Sequence, residues 1–278
     1  MRGWKTKTLL TLALAACGLA IPASASAWAP AATATVHPGV QTITAGGQCT
    51  SNFVFSDGSN TYLGQAAHCS STGGQTSTDG CATGSLPLGT PVTIDGAGHP
   101  GTLVYNSWLA MRAAGETDPD TCAFNDLALV RIDPADVAGV NPSVPGFGGP
   151  TGVGDLGDLG SVVYSYGNSS LRQGITLLSP KQGIVAQIDG GGWSHTVYTV
   201  TPGIPGDSGS GFLDASGQAS GVLSTLQLLP LPAANGVGDL SREIAYMHSH
   251  GFGAVNLVPG TEAFNPDLVG AILAGGVG

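Results

Sequence analysis

Short apolar stretches rich in Val, Thr, Leu and Ser recur along this chain, separated by clusters of Gly, Pro, Asn and Asp. That rhythm predicts strands bounded by turns rather than long helices. Strand-like pieces lie at 52–56, 61–65, 91–94, 101–105 and 126–132, then at 161–166, 175–178, 183–188, 195–200, 210–213 and 221–226. Residues 141–160 between the two sets are loaded with Gly and Pro and read as a linker with turns. The pattern divides the chain into two all-β halves, 28–140 and 161–238, with no internal repeat. Helical spacing enters only late. Leu240, Ile244 and Met247 recur at helical spacing, with Asp239 placed to cap the start and Gly251 to end it. Asn265-Pro266-Asp267 opens a second helix, with Leu268, Ile272 and Leu273 on one face. Residues 28–44 form a lead-in too short to be a folding pro-domain. The segment 239–278 is expected to supply a helix and a surface-packed tail.

The first 27 residues have the anatomy of an export signal. Arg2, Lys5 and Lys7 precede an apolar run, Pro22 breaks it, and Ala25-Ser26-Ala27 offers the small residues a signal peptidase accepts. The run is too short to span a bilayer comfortably. Cleavage after Ala27 takes the formal charge from −10 to −13, since three basic residues and no acidic ones leave. A second reading stays open: Leu14-Ala15-Ala16-Cys17-Gly18 resembles a lipobox, which would anchor the protein to the cell surface through a lipid on Cys17. With so few basic residues, no patch can neutralise phosphates, so nucleic acid is excluded as a partner. The expected form is a secreted monomer.

Cys17 lies in the signal, which leaves Cys49, Cys69, Cys81 and Cys122. Four cysteines allow three pairings. None stands in a C-x-x-C and no His sits at zinc-finger spacing, so disulfides are favoured over a structural zinc. Cys49–Cys69 with Cys81–Cys122 keeps both loops local. His248-Ser249-His250 suggests no metal site either, because residues two apart on a helix point in different directions.

Three segments carry candidate chemistry. Gly64-Gln65-Ala66-Ala67-His68-Cys69 places a histidine after small residues at a strand end. Asn125-Asp126-Leu127-Ala128-Leu129 puts a carboxylate at the mouth of an apolar strand. Pro205-Gly206-Asp207-Ser208-Gly209-Ser210-Gly211 sets a serine in a glycine-dense turn, where backbone can take positive φ and substrate can approach closely. Taken singly, each residue is better explained as an ordinary surface, cap or loop residue. Together and in this order they resemble the chymotrypsin-like serine proteases, over 45–70, 122–132 and 203–212. The order excludes the subtilisin arrangement, and Ser210 breaks the G-x-S-x-G elbow of α/β-hydrolases.

The resemblance implies two six-stranded antiparallel β-barrels and a secreted serine endopeptidase acting on peptides or proteins, without metal or organic cofactor. It implies a triad of His68, Asp126 and Ser208, with the amides of Gly206 and Ser208 as an oxyanion hole. Activity is expected to fall below about pH 6 as the histidine protonates. Pro202 falls at the base of the primary pocket, with Ser224, Thr225 and Leu226 along its wall. The absence of an acid at 202 argues against Arg or Lys specificity, and Leu226 narrows the pocket toward small or medium apolar side chains. Asp207 needs a cation, since no apolar N-terminus of the zymogen kind occurs. Arg112, Arg131, Arg172, Lys181 and Arg242 are the candidates, and Arg172 is favoured for its place early in the second half. A catalytically silent homologue acting as a binding module, and an esterase with the same triad, are the alternatives.

Overall fold

A computed structural model describes Met1 and residues 28–73, 78–227 and 231–275. The expected export signal, 1–27, lies outside the described residues apart from Met1, as does any lipid site at Cys17. Among the described residues no helix is long and apolar enough to cross a membrane.

The first half holds β1 (Gln41–Thr44), β2 (Gly47–Thr50), β3 (Val54–Ser56), β4 (Thr61–Ala66), β5 (Pro91–Ile94), β6 (Gly101–Asn106) and β7 (Leu127–Arg131). The second holds β8 (Val162–Tyr166), β9 (Pro180–Asp189), β10 (Ser194–Thr199), β11 (Gly211–Leu213), β12 (Ala219–Gln227) and β13 (Ala234–Asp239), with β14 (Asn256–Leu257) in the tail. The second half closes as the expected six-stranded barrel, in the order β10-β13-β12-β11-β8-β9. The first half differs. It is an eight-stranded antiparallel sheet running β14-β3-β4-β7-β6-β5-β1-β2, not a closed six-stranded barrel. Its edges are met by other parts of the chain: β14 pairs with β3, and at the end of β2 the Thr50 amide donates to the Ser208 carbonyl at 2.8 Å. Part of the lead-in, 41–44, is thus a strand of this sheet, and 176–178 is a 3₁₀ turn where a strand was expected.

Two helices fall between β6 and β7, where no helix was expected: α1 (Ser107–Ala114) and α2 (Pro119–Phe124). Asn106 caps α1, accepting from the amides of Trp108 and Leu109, and Gly115 ends it in the left-handed region. Asp118 caps α2, with Pro119 in its first turn. The helix over Leu240–Met247 (α3) starts on Asp239, whose side chain accepts from the Arg242 amide, as the spacing predicts. Its end differs, because a π-turn over His248–Phe252 precedes the full stop. The last helix, α4 (Leu268–Gly275), follows Asn265-Pro266-Asp267. The tail also ties down the Gly- and Pro-rich linker, through Gly149 N to Glu262 O and Asn265 N to Phe147 O. One apolar cluster, with Phe53, Phe55, Leu127, Phe147, Tyr164, Leu213 and Met247, spans the two halves. Both local disulfides are present, Cys49–Cys69 and Cys81–Cys122.

Candidate active site

β4 ends at Ala66 and the chain turns at once through a 3₁₀ turn, Ala67–Ser70, which carries His68. Ala66 and Ala67 are buried, and only small side chains leave room for what packs there. That neighbour is Gly209. A Cβ at 209 would lie 2.7 Å from the Ala66 amide nitrogen and 2.6 Å from the Thr50 carbonyl, and φ there is +88°. Only glycine lets the Ser208 loop press this closely against the strand that ends beside His68. The Cys49–Cys69 bridge ties the same turn to β2 and is worth about 3 kcal/mol in the chain-entropy picture.

Asp126 is buried and held on every side. Its Oδ2 accepts from His68 Nδ1 at 2.7 Å and from Ser224 Oγ at 2.6 Å, and its Oδ1 accepts from the His68 amide at 2.9 Å. Its carbonyl accepts from the Ala67 amide, and its own amide donates to Glu243 Oε1 at 2.9 Å. The start of α1 braces both partners: Asn106 Nδ2 donates to the Ala67 carbonyl and Ser107 Oγ to the Asn125 carbonyl. Ser224, expected on the pocket wall, turns its hydroxyl to Asp126 at an irregularity in the β12–β13 register between Leu223 and Thr225.

Burial by itself would lower the His68 pKa. The charge of Asp126 and its hydrogen bond outweigh that and raise it above the ordinary 6.5. A base must be neutral to accept a proton, so the acid limb of a His68-dependent rate lies above pH 6.5, higher than the sequence-based expectation of about 6. A pH–rate profile of kcat/KM checks this; a limb centred below 6 would contradict the Asp126 contribution.

The Ser208 loop is fixed from beneath. Asp207 is fully buried; Oδ1 accepts from the Ser169 amide, and Oδ2 accepts from Arg172 Nη2 at 2.6 Å and from the Ile204 amide. Arg172 is thus the partner the sequence favoured. Lys181 is a second cation, with Nζ 3.2 Å from Oδ2 but without hydrogen-bond geometry. Gly206 has φ +97°, and its carbonyl is turned to Gln48 Nε2 and Thr50 Oγ1. The amides of Asp207, Gly209 and Ser210 are all bonded to backbone carbonyls. Among the described residues those of Gly206 and Ser208 donate to no protein group, and no hydrogen bond joins Ser208 Oγ to His68.

No protein-family model matches the chain, and no curated protein does. Solved structures do. Protease A of Thermobifida fusca superimposes with TM-score 0.52 at 20% identity, over 81% of this chain and 99% of that one. A glutamic-acid-specific serine protease described as using a histidine triad in substrate binding superimposes with TM-score 0.51 at 15% identity, over 80% and 100%. The fold is chymotrypsin-like.

Within this chymotrypsin-like fold the expected pocket residues gather only in part. Pro202 is exposed, and Leu226, 44% exposed, leans to within 3.1 Å of where a Cβ would stand on Gly203. Thr225 lies beside Gly236 on the paired strand. Buried Asn235, which no motif signalled, fastens this wall: Oδ1 accepts from the Gly203 amide, and Nδ2 donates to the Val197 carbonyl and to Thr199 Oγ1. His248 and His250 are turned to the carbonyls of Val255 and Tyr246. Gln48, Thr50, Asn106, Ser107 and Glu243 were likewise missed. Only Asn106 had a usable signal, as a cap before a helical run that ends at Gly115.

Proposed function

We propose that the protein is a secreted serine endopeptidase that cleaves peptide bonds through an acyl intermediate on Ser208. The observation that carries this is the 2.7 Å contact of His68 Nδ1 with buried Asp126, on a turn pressed against a serine loop whose Gly206 and Ser208 amides have no acceptor among the described residues. Asp126 fixes the tautomer that leaves Nε2 to act as a base, and it stabilises the imidazolium formed when Nε2 takes the Ser208 proton. Serine–base contacts tighten when substrate fills the site, which accommodates their absence here. The hydroxyl oxygen attacks the scissile carbonyl, whose developing charge is met by the amides of Gly206 and Ser208. Such a donor contributes about 3–4 kcal/mol to transition-state stabilisation. The imidazolium then protonates the leaving amine, and water reverses the sequence to release the acid.

Two disulfides support work in an oxidising compartment outside the cytoplasm. The residues of the pocket wall, Pro202, Gly203, Thr225, Leu226 and Asn235, are uncharged, and Arg172, whose Nη2 lies 3.4 Å from the Pro202 carbonyl, is paired with Asp207, which supports small or medium apolar side chains before the scissile bond. A fluorophosphonate probe tests the proposal: it labels Ser208 covalently, and the unlabelled enzyme cuts a peptide library after uncharged residues. No labelling of the folded protein favours a binding module, ester cleavage without peptide cleavage favours an esterase, and efficient cutting after Arg overturns the pocket assignment.

A further inference from the structure

Glu243 is fully buried, yet no step of the proposed hydrolysis uses it. It lies in the first turn of α3, and its Oε1 takes the amide hydrogen of Asp126 at 2.9 Å. Its Oε2 has no partner among the described residues, and neither does the buried hydroxyl of Tyr105. Space for the carboxyl is kept open by Gly238 on β13, where a Cβ would stand 2.8 Å from Oε1. Asp126 is therefore gripped from two directions: its side chain faces His68 and Ser224, and its backbone is pinned from behind by α3.

We propose that Glu243 is a positioning residue for the hydrolysis proposed above, holding the Asp126 backbone so that its carboxylate meets the His68 ring in line. The inference rests on that reading of the triad. An ionised group here would set a second negative charge behind Asp126, with Asp239 adding a third nearby. Burial is the largest effect on Glu243 and pushes its carboxyl well above the usual carboxylate range; the Asp126 amide opposes this, while the Asp126 and Asp239 charges reinforce it. Burial thus favours the neutral form of Glu243, and its task in this geometry is to accept one hydrogen bond. A glutamine can do the same.

The test compares Glu243→Gln, Glu243→Leu and Gly238→Ala in the full chain. It uses kcat and KM together with the His68 pKa from NMR titration of the ring. Glu243→Gln keeps kcat within about twofold of wild type and leaves the His68 pKa where it is in the wild type. Glu243→Leu has a similar volume but no acceptor; it lowers kcat by about tenfold or more with little change in KM, and the His68 pKa falls back toward 6.5 as the Asp126 contact loosens. Gly238→Ala pushes the carboxyl away from the Asp126 amide and shifts both readouts in the same direction, so the inference stays testable if Glu243→Leu does not fold. Unchanged kcat and His68 pKa in a folded Glu243→Leu or Gly238→Ala overturns it, as does a Glu243→Gln enzyme as impaired as the leucine variant. A wild-type protein that no fluorophosphonate labels defeats the hydrolase instead, and the His68 titration still tests Glu243.

Discussion

Ser208→Ala lowers kcat for peptide hydrolysis by about a millionfold while leaving the fold and melting temperature in place. The size follows from chemistry that works as a unit: without the hydroxyl, the base has no proton to take and no acyl intermediate forms. Stability is spared because Ser208 is partly exposed and its hydroxyl makes no hydrogen bond among the described residues, so alanine strands no buried polar group. Its backbone contact, the carbonyl to the Thr50 amide, survives the substitution. Single-turnover kinetics on protein purified away from contaminating proteases, with thermal melts alongside, measure both halves. Retained turnover would remove Ser208 as nucleophile; a collapsed melt would make its role structural.

The second large effect comes from the charges under the serine loop, and its sign depends on which end is altered. Asp207→Asn keeps the shape but leaves the Arg172 and Lys181 cations facing each other in a buried site. Removing one partner of such a contact costs about 3–5 kcal/mol. The amides of Gly206 and Ser208 flank residue 207, so the loop that aims them loosens as well, and kcat falls by about 10²–10³. Lys181 behaves in the opposite way. Burial, with Arg172 adding to it against the pull of Asp207, lowers its pKa from 10.5 to about 8. In that window the unfolded chain binds the proton that the folded one releases, so the stability cost is full at neutral pH and is relieved as pH rises from 8 toward 10.5. Lys181→Met, with Arg172 still holding Asp207, therefore raises stability at pH 7 by about 1–3 kcal/mol, and the gain shrinks at alkaline pH. Denaturant melts at pH 7 and pH 10 decide it; a methionine variant less stable at pH 7 would show that Lys181 is a needed counter-ion.

Much of this was legible in the chain because the chemistry forces local sequence. A histidine against a strand end needs Ala66 and Ala67, a loop pressed against Ala66 needs Gly209, and a buried Asp207 needs a cation such as Arg172. The β-rich runs and turns marked β8 to β12 of the closed barrel but not β13, and the closure itself came from the family resemblance. That was not enough for the first half, because the edge partners of that sheet, β14 and the Ser208 carbonyl, come from about 200 and 160 residues away and leave no local pattern. Residues 107–114 looked like neither element in a chain read for strands, although the Asn106 cap and Gly115 stop were there to be seen. Long-range supports such as Glu243 on Asp126, and Gln48 on the Gly206 carbonyl, had no sequence signal at all. A single glutamate or glutamine in a chain carries no mark of the amide or carbonyl it will meet.

A crystal structure of the protein soaked with a peptide boronic acid tests the serine mechanism most directly. Density joining boron to Ser208 Oγ is expected, with one boronate oxygen within hydrogen-bonding distance of the Gly206 and Ser208 nitrogens and His68 Nε2 beside the adduct. Boron bound elsewhere, or an adduct at Ser208 whose oxygen finds neither amide, would contradict it.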